Sequence, residues 1–261
     1  MNRLVLALML WPSLALSGNY YIESVESARP DPESLEKARK RIDEHRDVEV
    51  IRNLDLPPFH YRPAVESDDR KPLCTLCHLD PPHRRSERKR SFLNQHARFI
   101  ACETCHLKAP PGDAPGLRYR WLAYRSPHAG EWIDVAGSVH SSVDDRIRSA
   151  IPRPGAHIAP EWQGRPALVF RDQPFARDLE QSWKQASPDS KAEMQARLHD
   201  PIDSEGTECK SCHDRDQQKL DTRLLGMNER QVRALEGNLI ARFFARYRKD
   251  DERLRMTDLL R

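Results

Sequence analysis

The sequence feature that most constrains this chain is a five-residue pattern, Cys-x-x-Cys-His, that occurs three times. The copies use every cysteine of the 261-residue sequence. In each copy two thiols lie three positions apart, and a histidine directly follows the second thiol. If all three copies serve one purpose, no thiol remains for a disulfide framework. The copies are Cys74-Thr75-Leu76-Cys77-His78 (motif 1), Cys102-Glu103-Thr104-Cys105-His106 (motif 2) and Cys209-Lys210-Ser211-Cys212-His213 (motif 3).

This pattern is the attachment signature of c-type haem. Two thiols at this spacing can reach the two vinyl groups of one haem, and the adjacent histidine can bind its iron. Paired C-x-x-C units also make structural zinc sites, but zinc does not need a histidine directly after the second cysteine. A disulfide framework would not repeat the spacing three times. The motifs therefore predict three covalently attached haems.

On these motifs the sequence resembles the multihaem c-type cytochromes with bis-histidine ligation. The resemblance covers the motifs and their immediate flanks. It implies haem attachment through Cys74, Cys77, Cys102, Cys105, Cys209 and Cys212. It also implies His78, His106 and His213 as the proximal iron ligands. In such cytochromes a histidine shortly before a motif often binds a neighbouring haem.

The remaining histidines are candidates for the second, distal axial position. Of the 11 histidines, three belong to the motifs. His96 lies on the apolar face of a helix that is expected to run into motif 2. His199 ends a predicted helix shortly before motif 3, and His83 trails motif 1 after two prolines. The rival ligands Met194, Met227 and Met256 each fit an apolar helix face, where methionine more often fills a core. The distal candidates are His96, His199, His83, His60, His128 and His140, with His157 and His45 ranked below them.

The N-terminus predicts export from the cytoplasm. Met1 to Arg3 form a short positive start, residues 4–16 are almost all apolar, and small residues precede a cleavage site after Ser17. An uncleaved membrane anchor is the alternative, although the apolar run is short for a span and Pro12 interrupts it. We therefore expect a periplasmic or extracellular protein.

Charge and composition limit the partners and the core. The formal net charge is +3, and one less once Arg3 is lost, which is too balanced to favour nucleic acid. Hydrophobic residues make up 38% and charged residues 32% of the chain. This is polar for a globular protein of this length, and haem faces would supply apolar surface that the side chains lack.

The local patterns predict a mainly α fold with much irregular loop, a haem-packed core and a small antiparallel β insert. Asp31 and Pro32 begin a helix, and Ser187 with Pro188 begins another. A single helix is expected from Asn228 to Tyr247, and residues 18–30 are expected to be a flexible N-terminus. Residues 117–124 alternate like a strand, with residues 166–170 as the expected partner.

The expected organisation follows the motifs along the chain. Residues 1–17 are a signal peptide, and residues 18–108 form an N-terminal helix and a dihaem unit, since only 28 positions separate Cys74 from Cys102. Residues 109–172 are a Pro/Gly-rich insert with a possible β-hairpin, and residues 173–261 are a helical region with the third haem.

These expectations favour an electron carrier over an enzyme. Two imidazoles saturate an iron, so only electron exchange through the haem edge remains. The alternatives are a haem-dependent oxyanion reductase with one open axial site and a subunit of an extracellular haem polymer or conduit. Expected partners are redox proteins, among them other cytochromes or a membrane quinol oxidase, with homo-oligomers possible. The basic segment Arg84 to Arg90 either guides an acidic partner, neutralises haem propionates or is a solvated turn.

Overall fold

The computed structural model describes residues 18–45, 69–83, 87–111, 116–133, 155–217, 219–246 and 257. The expected signal peptide, His60, His140 and Met256 lie outside these ranges, as do the side chains of His45 and of the basic segment. Among the described residues no helix is both long and apolar enough to cross a bilayer.

The described part is mainly helical, as predicted. The helices are α1 (Tyr20–Ser27), α2 (Pro32–His45), α3 (Glu87–His96), α4 (Cys102–His106), α5 (Pro174–Gln185), α6 (Pro188–His199), α7 (Lys210–His213), α8 (Glu229–Glu236) and α9 (Leu239–Arg246). The expected starts of α2 and α6 are confirmed, since Asp31 accepts from the Ser34 amide and Ser187 from the Ser190 amide.

Two expectations about helices are wrong. Residues 20–27 form α1 rather than a flexible N-terminus, because the Asn19 side chain caps α1 and also donates to the carbonyls of Pro166 and Leu168. The helix expected from Asn228 to Tyr247 is interrupted at Gly237. There α8 ends, and the Asn238 side chain caps a separate α9.

Helices α1, α2 and α6 pack together through small side chains. Ala38 of α2 meets Ala192 and Ala196 of α6, and all three alanines are buried. The Tyr21 hydroxyl of α1 donates to the Leu198 carbonyl near the end of α6. This contact and the alanine packing fix the C-terminal end of α6, where His199 lies.

The predicted antiparallel sheet is present, but the expected position of one of its strands is wrong. The described strands form an antiparallel sheet in the order β1 (Arg118–Ala123), β2 (Ala156–Trp162) and β3 (Arg165–Pro166). The strand expected at 117–124 is confirmed as β1. Its main partner is β2 rather than residues 166–170, and only Pro166 of that range belongs to a strand. Sequence patterns missed β2 because it contains Pro160 and lacks apolar alternation.

The sheet forms the centre against which the first two motifs pack. The amide of Ala101 and the hydroxyl of Thr104 both donate to the Ile158 carbonyl of β2. The amide of Leu73, directly before motif 1, donates to the Val169 carbonyl. Residues 167–170, expected to be a strand, are instead a fully buried connection through this core.

Candidate functional site

Each motif folds into a single helical turn that brings its histidine back beside its first cysteine. The amide of His78 donates to the Cys74 carbonyl at 2.9 Å, and the amide of His213 donates to the Cys209 carbonyl at 3.0 Å. Motif 2 is α4 itself. Residues four positions apart share one face of a helical turn, so each motif presents a thiol and its imidazole on the same side.

The motif cysteines are free thiols, and four of them have raised pKa values. None of the six is in a disulfide. Burial raises the pKa of the Cys77 and Cys105 thiols, and it raises the pKa of Cys212 to about 11. A hydrogen bond with Cys102, together with burial, raises the pKa of Cys74. A redox-active Cys-x-x-Cys pair needs the opposite, a lowered thiol pKa.

Every motif histidine faces a second histidine from elsewhere in the chain. The ring centres of His78 and His199 are 6.0 Å apart, and the ring planes meet at 69°. The structure thus places the histidine that precedes motif 3 beside motif 1.

The other two motifs repeat this arrangement. His106 and His83 have ring centres 6.3 Å apart and planes 24° apart. His213 and His96 have ring centres 6.1 Å apart and planes 82° apart. His83, His96 and His199 are the three distal candidates that the structure brings to the motifs.

The spacing within the pairs fits a metal ion between the two rings. A histidine nitrogen binds a first-row metal at about 2.0 Å and lies roughly 1.1 Å from its ring centre, so two coaxial ligands place their ring centres roughly 6.2 Å apart. The observed 6.0–6.3 Å agrees with this value.

Hydrogen bonds at Nδ1 orient the rings and select their tautomers. Nδ1 of His96 lies 2.9 Å from the Phe92 carbonyl, and Nδ1 of His199 lies 2.7 Å from the Gln195 carbonyl. A carbonyl only accepts, so each Nδ1 carries the proton and the neutral ring keeps its lone pair on Nε2. Such hydrogen bonds typically orient metal-binding histidines.

The motif histidines of motifs 2 and 3 are held in the same way. His106 Nδ1 donates to the Asp203 carbonyl at 2.8 Å, and His213 Nδ1 donates to the Leu235 carbonyl at 2.9 Å. Burial lowers the pKa of His213, as it does that of His199, which favours the neutral form that binds metals.

Asn94 of α3 holds His83. Its Oδ1 accepts from both the amide and the Nδ1 of His83 at 3.1 Å, and its Nδ2 donates to the His83 carbonyl at 3.0 Å. Helix α3 therefore supplies one distal candidate, His96, and orients a second one. Sequence reasoning missed Asn94, since nothing local connects it with a residue 11 positions earlier.

The other histidine candidates are placed differently. His128 is exposed in a turn, with Nδ1 3.1 Å from Oε2 of Glu131. His157, ranked low from the sequence, stacks on the buried ring of Tyr124 with centres 4.0 Å apart. His60 and His140 lie outside the described residues. The structure does not support a distal role for His128, because each motif histidine already faces a different histidine ring.

Motifs 1 and 2 meet at a buried carboxyl group. The Cys74 thiol hydrogen-bonds with Cys102 and lies 3.7 Å from Oε1 of Glu103. Glu103 is buried, and its Oε2 lacks a hydrogen-bond partner. Burial raises the pKa of this carboxyl group to about 7. Sequence reasoning treated Glu103 only as a variable position of the motif.

Motifs 2 and 3 meet at an ammonium group. The thiol of Cys105 lies close enough to Cys209 to interact electrostatically, and Lys219 interacts with both Cys105 and Cys212. Lys219 donates to the hydroxyl of Thr207, which in turn donates to the Cys105 carbonyl. Sequence reasoning missed Lys219, because it follows motif 3 without any recognisable pattern.

Gly206 provides the space that the His106 ring occupies. Its φ is +71°, and a Cβ atom there would lie 2.9 Å from Cε1 of His106. Only glycine meets both the backbone and the steric requirement at this position. The sequence indicated a turn at Gly206, but gave no sign of this contact.

The described residues include no group of three or more His, Cys, Asp or Glu side chains suited to hold a metal ion by themselves. The imidazoles occur as facing pairs instead. No protein-family model matches the chain, and comparisons with curated proteins and with solved structures gave no significant match.

Proposed function

We propose that this chain is an exported three-haem c-type cytochrome that carries electrons between redox partners. The observation that carries the proposal is the set of three imidazole pairs, each joining a motif histidine to a histidine from another segment at 6.0–6.3 Å. A chance approach of histidines would not select one partner for every motif at nearly one distance.

The residues divide into three sites. At each site the two cysteines of a motif would anchor the haem and the motif histidine would bind its iron. The second histidine ligand would be His199 at site 1, His83 at site 2 and His96 at site 3. A haem bound in this way supplies one-electron exchange between the ferric and ferrous states of its iron.

The protein's own part would be to hold two oriented imidazoles ready for each iron. Nδ1 hydrogen bonds hold His96, His199, His106 and His213 in fixed orientations, and Asn94 does so for His83. A ligand oriented by a second partner is hard to displace. This supports a carrier over the oxyanion reductase, which needs an open axial position. Two imidazoles rather than a histidine and a methionine also favour a low potential.

The proposed location and partners rest on the N-terminal sequence and on this chemistry. Export after cleavage near Ser17 would bring the chain to the periplasm or the cell surface. Its partners would be redox proteins, such as other cytochromes or a membrane quinol oxidase. Assembly into a homo-oligomer or polymer is compatible with this role.

Intact mass spectrometry of the exported protein tests the proposal. The measured mass should exceed that of the processed chain by the mass of three haems. In a Cys209→Ala/Cys212→Ala variant the excess should be the mass of two haems, because only motif 3 loses its attachment. A colourless protein, or one that contains zinc instead of haem, would refute the proposal.

A distal-ligand variant tests the assignment of ligands. His96→Ala should convert the haem of site 3 from low-spin to high-spin, since one axial position opens. His128→Ala is the matched control, because that ring is exposed and faces Glu131. If the spectrum of His96→Ala stays low-spin, as in the wild type, His96 is not a ligand.

A further inference from the structure

Lys219 joins two of the proposed haem sites. Its amide donates to the Ser211 carbonyl inside motif 3 at 2.7 Å. Its side chain donates to Thr207, whose hydroxyl donates to the Cys105 carbonyl of motif 2 at 3.1 Å. The backbone of Lys219 is thus fixed to one motif and its ammonium group to the other.

The surroundings of Lys219 keep this ammonium group partly away from water. The side chain is half-buried, and Nζ lies 5.2 Å from the centre of the Tyr119 ring. A cavity of about 300 Å³ adjoins it, lined by Leu117, Arg118, Tyr119, Lys219, Asp221 and Leu224. A charge in a partly buried position acts more strongly on its neighbours than an exposed one.

The junction between motifs 1 and 2 has the opposite character. There the buried group is the carboxyl of Glu103, beside Cys74. Motif 2 therefore adjoins motif 1 through an acidic group and motif 3 through a basic one. The contacts order the sites as 1, 2, 3, with site 2 in the middle.

We infer that Lys219 tunes the sites electrostatically, raising the reduction potentials of the haems at sites 2 and 3 relative to that at site 1. This inference rests on the proposed function. Reduction adds one negative charge to a haem, so a nearby cation stabilises the reduced state. The effect falls with distance, which spares site 1. Lys219 thereby favours the transfer of electrons from site 1 towards sites 2 and 3.

The test compares the three reduction potentials in Lys219→Met and in wild-type protein, by redox titration followed by electron paramagnetic resonance. Lys219→Met removes the charge but keeps much of the side-chain volume. Lys219→Arg restores the charge. Lys184→Met is the control for loss of a cation, since Lys184 is exposed on α5 and pairs with Glu180.

The signals are assigned to sites before the titration. Cys209→Ala/Cys212→Ala removes the signal of site 3. The nearly parallel rings at site 2 distinguish its signal from that of site 1. Intact mass first shows whether each variant contains three haems, so failure of the proposed function is recognised separately.

Lys219→Met should lower the potentials of sites 2 and 3 and leave site 1 unchanged, while Lys219→Arg and Lys184→Met should leave all three near their wild-type values. With three haems present, unchanged potentials in Lys219→Met would overturn the inference. An equal shift at all three sites would overturn it too, since that would indicate a general structural effect.

Discussion

Single residues set the position of the rings in the imidazole pairs. Three residues that matter here lie outside the motifs. Gly206 and Lys219 contact motif residues, whereas Asn94 contacts His83, which faces motif 2. The motif residues themselves could be predicted from spacing. These contacts could not, because they join segments that only the folded chain brings together.

Gly206→Ala should displace the His106 ring. A Cβ atom at this position meets Cε1 of His106 at 2.9 Å, and a left-handed φ costs a non-glycine residue about 1 kcal/mol. We expect lower stability and a partly high-spin haem at site 2. Thermal unfolding and the absorption spectrum measure both effects.

Gly164→Ala is the matched control for this variant. Gly164 has φ of +81°, and a Cβ atom there meets nothing within 4 Å. It should therefore lose stability to a similar backbone strain and keep a wild-type spectrum. Identical spectra for the two variants would show that the Gly206 contact has no influence on His106.

Glu103 predicts a dependence of stability on pH. Burial raises the pKa of its carboxyl group from 4.5 to about 7. The folded state therefore favours the protonated form. The contribution of Glu103 to the free energy of unfolding is fully present below pH 4.5 and is lost as the pH rises through 7. At one pKa unit per 1.36 kcal/mol, the loss by pH 8 is at most about 3 kcal/mol.

Glu103→Gln should remove this dependence, since a neutral amide of similar shape carries no ionisation cost. The free energy of unfolding, measured by denaturant titration at pH 5 and at pH 8, should change less with pH in the variant than in wild type. Glu193→Gln on the exposed side of α6 is the control. The same pH dependence in Glu103→Gln as in wild type would contradict the burial argument.

At the scale of elements, helix α3 is the part of the fold that organises two sites at once. It ends at His96, the distal candidate of site 3, and its Asn94 binds the backbone and the ring of His83 at site 2. The sequence indicated an apolar helical face that includes His96. It gave no reason to connect this helix with His83.

Asn94→Ala should weaken distal ligation at site 2 while leaving site 3 nearly unchanged. Loss of the partner that orients a metal ligand typically lowers the affinity for the metal 10–100-fold. A ligand that competes with His83 should therefore bind about 10-fold more tightly at the haem of site 2. Titration of the ferrous protein with carbon monoxide measures this. Gln95→Ala, an exposed neighbour on the same helix, should bind carbon monoxide as wild type does. If the two variants behave alike, Asn94 does not hold His83.

Helices were easier to predict than strands in this chain. Caps at Asp31, Ser187 and Asn228 act locally, and each begins a helix in the structure. Strand β2 forms by pairing with β1, which lies far from it in the sequence. Its Pro160 argues against a strand when only the local sequence is considered. The buried run 167–170 has the composition of a strand but passes through the core as a connection.

At the scale of the whole molecule, the imidazole pairs connect distant parts of the chain. His78 meets His199, and His96 meets His213, so segments that are far apart in the sequence contribute to shared sites. The sequence indicated which histidines are suited to distal ligation, by their position shortly before or after a motif. It could not indicate which motif each one faces, because that depends on how the helices pack around the sheet.

The angles between the ring planes make a spectroscopic prediction for the whole protein. Nearly parallel imidazoles split the iron d orbitals more than nearly perpendicular ones, which changes the anisotropy of a low-spin ferric signal. The planes differ by 24° at site 2, but by 69° at site 1 and 82° at site 3. One haem should thus differ from the other two.

Electron paramagnetic resonance of the fully oxidised exported protein shows whether each haem iron binds two histidines. We expect three low-spin ferric haems, one with a rhombic signal and two with the strongly anisotropic signals of nearly perpendicular ligands. A high-spin signal from the resting protein would show that an axial position is open. The absence of any haem signal from correctly matured protein would contradict the account as a whole.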